Sequence, residues 1–149
     1  MVIAARQLKN LMRLCFLMER KYAPYSKWFG TAFSRLECAA ELSPIFTEVL
    51  LSSTWEERER HLARAYGVIA RRHNALQITR TIDEEVSNYH GRPYRVFEAP
   101  ELVGDILNNL TDEEVKAIKH SLGSVNQFVD STDQVSDISL LQMLKAVYT

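Results

Sequence analysis

"TWEERERHLARAYGVIARRHNAL", residues 54 to 76, decides the fold class of this chain. Thr54 stands where a helix N-cap is wanted. Glu56, Glu57 and Glu59 fill the early turns and Arg71 and Arg72 the last, so both ends carry charges that complement the helix dipole. Trp55, Leu62, Tyr66, Ile69, His73 and Leu76 recur at helical spacing and mark the face expected to be buried.

Working outward from that helix, more helices follow on both sides. Upstream, "LSPIFTEVLLSS" predicts a short helix with Ser43 at the N-cap and Pro44 at the first helical position. From Val2 to Lys21, Leu8, Leu11, Cys15 and Met18 form an apolar stripe that Leu14 and Leu17 widen, and Arg6, Arg13 and Arg20 repeat every seven residues on the other side. Pro24 disfavours helical geometry at Ala23, so this helix is expected to stop near Tyr22. Ser26 is expected to cap a helix from Lys27 to Glu37.

Downstream, "QITRTIDEEVSNYHGRPYRVFEAP" carries a β-branched run that fits a short extended segment or a helix from Asp83 to His90 ended at Gly91. The helix is the favoured reading. "APELVGDILNNL", "TDEEVKAIKHSLG" with Thr111 as N-cap, and "DISLLQMLKAVY" with Asp137 as N-cap predict three more. About seven helices and no convincing alternating strand predict an all-α, single-domain bundle. Five glycines and four prolines in 149 residues suit long helices with few turns.

Charge is unevenly spread although the net charge is −1. Residues 1–80 hold thirteen Lys and Arg against seven Asp and Glu, and residues 81–149 hold five against twelve. This asymmetry fits two halves that attract each other on folding, or an anion-facing first half. Cys15 and Cys38 belong to no CxxC or Cys/His cluster and read as buried thiols of a reducing cytosol. Arg6, Lys9 and Arg13 interrupt the N-terminal apolar run too often for a signal peptide, so a cytoplasmic location is expected and no membrane partner.

The chain offers little recognisable catalytic chemistry. Nucleotidyl transfer needs a Gly-Ser turn for the triphosphate and an Asp-x-Asp pair for magnesium. Gly123-Ser124 is followed by Asp130 and Asp133, which are three apart and lie in a strand-poor tail. No Arg precedes His61, His73, His90 or His120 by four to six residues, which argues against a helical ribonuclease of the toxin type. Glu57 and His61 read as an i,i+4 surface pair, His73 as a core histidine, and Asp83, Glu84 and Glu85 as acids opening a helix. P-loop, GxSxG and GxGxxG patterns are missing from the sequence. No catalytic residue, metal ligand or cofactor is therefore expected in this chain.

"RKYAPYSKWFG", residues 20–30, has two readings. As a corner, Tyr22, Tyr25, Trp28, Phe29 and Phe33 fill a bend made by Pro24 while Lys21 and Lys27 extend along its surface. As a site, cations alternating with Tyr and Trp suit a phosphate or a flat ring. The candidate ligand-binding set is Lys21, Tyr25, Lys27, Trp28 and Arg35.

The longer stretch "LMRLCFLMERKYAPYSKWFGTAFSRLECA" is similar to the signature of the domain of unknown function 4037 family, found on the C-terminal side of nucleotidyltransferase-like bacterial proteins. "HNAL" at 73–76 and "GRPYRVF" at 91–97 are compatible with that domain, so the whole chain, 1–149, resembles it. The resemblance implies a helical, substrate-side accessory domain that packs against a nucleotidyltransferase fold, which this chain lacks. Magnesium and a nucleoside triphosphate would belong to that absent catalytic domain. The expected partners are the catalytic domain, a small anionic or nucleotide-like ligand and a second copy in a homodimer; nucleic acid is not expected. The rival reading is a helical module that docks a protein or dimerises through an apolar face, with no small-molecule ligand.

Overall fold

A computed structural model describes residues 2–88, 95–96, 100–118 and 136–147. Among them are seven α-helices: α1 (Val2–Met18), α2 (Ser26–Phe33), α3 (Ala39–Leu51), α4 (Trp55–Leu76), α5 (Pro100–Asn109), α6 (Glu113–Lys116) and α7 (Ile138–Leu144). A 3-10 turn, Lys145–Val147, follows α7. One small antiparallel ladder pairs β1 (Ser87–Asn88) with β2 (Arg95–Val96), in the register Ser87 to Val96 and Asn88 to Arg95. The chain is an all-α, single-domain bundle.

Helices α3 and α4 form the central hairpin, and α1 lies against both. The core runs through Leu8, Leu11, Cys15 and Phe16 of α1, Leu42, Ile45, Phe46 and Val49 of α3, and Ala65, Val68 and Ile69 of α4. Phe29 and Phe33 of α2 close one side, with ring centroids 5.4 Å from Phe16 and 5.6 Å from Phe46 respectively. Burying side chains of this size contributes roughly 1.5–3 kcal/mol each.

Helix α4 has the predicted bounds and cap. The Thr54 hydroxyl accepts from Glu57 N–H at 3.2 Å, and the Glu57 carboxylate reaches back to Thr54 N–H at 3.4 Å, a reciprocal capping box. Its buried face is rotated from the expected one. Ala65, Val68, Ile69, Ala70 and His73 face the core, Leu62, Tyr66 and Leu76 are half-buried, and Trp55 is exposed. On the α3 side, Gly67 and Val68 line a shallow depression together with Pro44 and Ile45. In α1 the stripe is likewise narrower than expected, since Leu14 and Leu17 face solvent and Phe16 points inward.

Five boundaries differ from expectation. Helix α1 ends at Met18, well before Pro24, because Arg20 adopts a left-handed conformation (φ 53°) and Lys21 N–H bonds the Phe16 carbonyl at 2.9 Å while Arg20 N–H bonds Leu17. That pair of bonds is the Schellman stop. Ser26 does not cap α2: Tyr25 occupies the N-cap with no side-chain bond, and α2 ends at Phe33 rather than Glu37. Helix α3 begins at Ala39, so Pro44 lies inside it and Ser43 is an interior residue whose carbonyl accepts from the Thr47 hydroxyl at 3.0 Å. Asp112, not Thr111, caps α6.

The helix expected over Asp83–His90 is absent from its described part. Asp83 instead accepts from Glu85 N–H at 2.9 Å, a local turn, and Ser87–Asn88 pair as β1; His90 and Gly91 lie outside the described residues. Two contacts to α4 hold this stretch extended. The Asn74 amide donates to the Ile82 carbonyl and accepts its N–H, both at 2.9 Å, as a strand neighbour would. A Cβ on Gly67 would come within 2.9 Å of the Glu84 carbonyl oxygen, so this glycine permits the close crossing. Asp137 caps α7 as expected, accepting from Ser139 and Leu140 N–H.

Candidate functional site

The corner between α1 and α3 is built around a carboxylate that the motif reading passed over. The Schellman stop turns Glu19 toward the N-terminus of α3. There its two oxygens accept Cys38 N–H at 2.9 Å and Glu37 N–H at 3.0 Å, and Lys21 Nζ adds a third bond at 3.0 Å. Cys38, the N-cap residue of α3, makes no side-chain cap of its own, so Glu19 supplies the negative charge that a helix N-terminus favours. Burial alone would raise the Glu19 carboxyl. The hydrogen bonds from Cys38, Glu37 and Lys21 outweigh it and hold the group at about 2. A signal for this existed, because Glu19 is the single acid among the first 36 residues.

Beside it, the Cys15 and Cys38 thiols meet each other in the interior, both free and almost fully buried. Burial pushes both thiols above their ordinary range, so neither is a ready nucleophile. They line a cavity of about 290 Å³ together with Met18, Glu19, Lys21 and Arg72. Arg72 lies on α4, near Glu41 of α3 at 3.8 Å, and its buried Nε has no hydrogen-bond partner among the described residues. No spacing rule links Arg72 to residues 15–38, so only the folded chain reveals this cavity.

The proposed ligand-binding residues are all on the exterior. Lys21 is exposed and tied to Glu19, while Tyr25, at the α2 N-cap, is 51 % exposed. Lys27 Nζ lies 5.7 Å from the centroid of the Trp28 ring, itself 52 % exposed. Tyr22 is 91 % exposed, and Arg35 is exposed in the turn after α2. The corner reading is thereby corrected: of its five aromatics, only Phe29 and Phe33 fill the corner. Tyr25, extended at the N-cap, and Trp28, in the first turn of α2, both stand at the start of that helix.

The remaining candidates are structural. His73 is a core histidine whose Nε2 lies at hydrogen-bonding distance, 2.7 Å, from the Thr79 hydroxyl. Glu57 and His61 do not pair: Glu57 serves the capping box, and His61 Nδ1 lies 3.0 Å from Glu48 on α3. Glu84 instead approaches Arg71 at 3.9 Å, and the guanidinium of Arg80 grips Asp105 and Glu101 of α5. Among the described residues no group of three or more His, Cys, Asp and Glu is placed to hold a metal ion, and no helix is long and apolar enough to cross a membrane. Gly123, Ser124, Asp130 and Asp133 lie outside the described residues.

Comparison with known proteins bears on this corner. Residues 1–29 match the family described as Domain of unknown function (DUF4037). The match takes in α1, the Schellman turn, Glu19 and the exposed group Lys21, Tyr25, Lys27 and Trp28, and it stops short of Arg35, Cys38 and Arg72. It is therefore narrower than the whole-chain resemblance expected from the sequence. No curated protein and no solved structure matches the chain.

Proposed function

We propose that this chain is a helical accessory domain of a nucleotidyltransferase-like protein, not catalytic alone, and that it takes a small anionic ligand with a flat ring, of nucleotide type, on the α1–α2 surface. The supporting observation is the exposure of Tyr22, Tyr25 and Trp28 in a corner already sealed by Phe29 and Phe33. Exposed Tyr22 and half-exposed Tyr25 and Trp28 present ring surface to solvent in the stretch of chain that also carries Lys21, Lys27 and Arg35, and they suit stacking on a base with phosphate held by the cations. A separate catalytic domain would bring the magnesium ion and the nucleoside triphosphate. A reducing cytoplasm suits the two buried free thiols.

Calorimetric titration of the full chain with a panel of nucleotides and inorganic phosphate tests this reading. Trp28→Ala, Lys27→Ala and Lys21→Ala are each expected to weaken nucleotide binding by about tenfold or more, the scale of one lost charge-assisted contact. Half-exposed Trp28 should unfold with a penalty nearer ~1 kcal/mol than the ~3–5 of a core aromatic, so the variants remain folded for the comparison. No binding by the wild type, or equal affinity in all variants, overturns the proposal.

A further inference from the structure

Glu19 and Lys21 answer each other at the corner, but the cavity beside them keeps two groups of opposite charge whose bonding is incomplete. Arg72 of α4 is one. Its buried Nε has no hydrogen-bond partner among the described residues, and its ion pair with Glu41 is long, at 3.8 Å. Glu37, in the turn before α3, is the other. Its backbone N–H serves Glu19, while its carboxylate makes no hydrogen bond or ion pair among the described residues. A buried donor left without an acceptor is costly, and native structures seldom keep one without something to serve it.

The rest of the wall is apolar: Met18, Ala75 and Leu76 with the Cys15 and Cys38 thiols, which burial keeps protonated and so uncharged. Two cations, Lys21 and Arg72, then face two acids, Glu19 and Glu37, and the lining is neutral as a whole. A singly charged ligand would leave one of these groups unanswered. The volume of about 290 Å³ falls just under the ~300 Å³ at which small-molecule sites begin, room for a small metabolite rather than a nucleotide. A guanidinium fits a carboxylate, a free carboxylate fits an ammonium, and a wall of thioether, thiol and aliphatic groups fits an apolar side chain. One class of small molecule carries all three.

We propose that this cavity binds a zwitterionic amino acid with an apolar side chain. Its carboxylate meets Arg72, its ammonium meets Glu37, and its side chain lies against Met18, Ala75 and Leu76. Glu19 is not available for this role, because the N–H groups of Cys38 and Glu37 and the Lys21 ammonium already occupy it. Neither Arg72 nor Glu37 belongs to the Trp28 surface, so the assignment stands whether or not a nucleotide binds there.

Calorimetric titration of the full chain with L-leucine and L-methionine tests it, against two controls of similar size: leucinamide, which lacks the carboxylate, and isocaproate, which lacks the ammonium. Both amino acids should bind, and each control should bind at least about tenfold more weakly. Arg72→Lys keeps the charge but removes Nε, and Glu37→Gln alters an exposed position; each should weaken L-leucine by at least about tenfold. Trp28→Ala should leave L-leucine binding unchanged, which separates this site from the nucleotide surface. The controls are read on the wild type, so the comparison does not depend on how the variants fold. No binding of either amino acid, a control that binds as tightly as L-leucine, wild-type affinity in Arg72→Lys or Glu37→Gln, or a loss in Trp28→Ala overturns the proposal.

Discussion

Glu19 is the residue on which the corner turns. Its carboxyl is held at about 2, below its ordinary value, so the stability it contributes is fully present above the ordinary carboxylate range and is lost as pH falls toward 2. Glu19→Gln retains one acceptor oxygen, but its amide NH2 would face a backbone N–H, leaving a donor unsatisfied at the start of α3. The variant is expected to lose about 1.5–3 kcal/mol at neutral pH and to show a flatter stability profile between neutral and acidic pH. Thermal unfolding of both proteins across that range checks this, and parallel profiles would remove Glu19 from the role. The residue is conspicuous in the sequence as a lone acid among cations. Its partners are not, because they lie 18 and 19 residues downstream and are backbone groups of no particular residue type.

At the scale of the element, two backbone positions carry opposite expectations. Arg20 ends α1 in the left-handed region that costs a residue with a Cβ roughly 1 kcal/mol. Arg20→Gly removes that strain, and its melting temperature should equal or exceed that of the wild type; a marked loss would mean the side chain itself is needed. Gly67 invites the reverse error. Within an α-helix an alanine is favoured over glycine by up to ~1 kcal/mol, yet here its Cβ would meet the Glu84 carbonyl oxygen at 2.9 Å. Gly67→Ala is expected to loosen residues 82–86 from α4, read as faster amide exchange at Ile82, whose N–H is held by Asn74. Unchanged protection there would count against the crossing. The α4 boundaries were legible because capping box and dipole charges act within one turn. The turn at 83–86 was not, since its acids look like a helix start until Gly67 and Asn74 draw the backbone across α4.

For the whole molecule, the expectation is that the chain by itself transfers no nucleotide. Among the described residues no group of three or more carboxylates, cysteines and histidines converges to hold a metal ion. Incubation with labelled ATP and magnesium should yield no labelled product. Magnesium-dependent labelling abolished by Asp130→Asn or Asp133→Asn would show that those carboxylates do the chemistry.

By itself the sequence determined that this is a bundle of helices, where α4, α5 and α7 lie, and that the stretch 20–30 is unusual. All of these depend on periodicity, caps and composition within a few residues of one another. Tertiary structure alone decided which side of α4 is inside, because that depends on how α3 and α1 together pack against it. It also decided that Phe29 and Phe33 are buried while Tyr22, Tyr25 and Trp28 are not. Five aromatic side chains compete for one corner that holds two. The winners are those that the turn of α2 aims at Phe16 and Phe46, a direction set by the packing of three helices that no local spacing encodes.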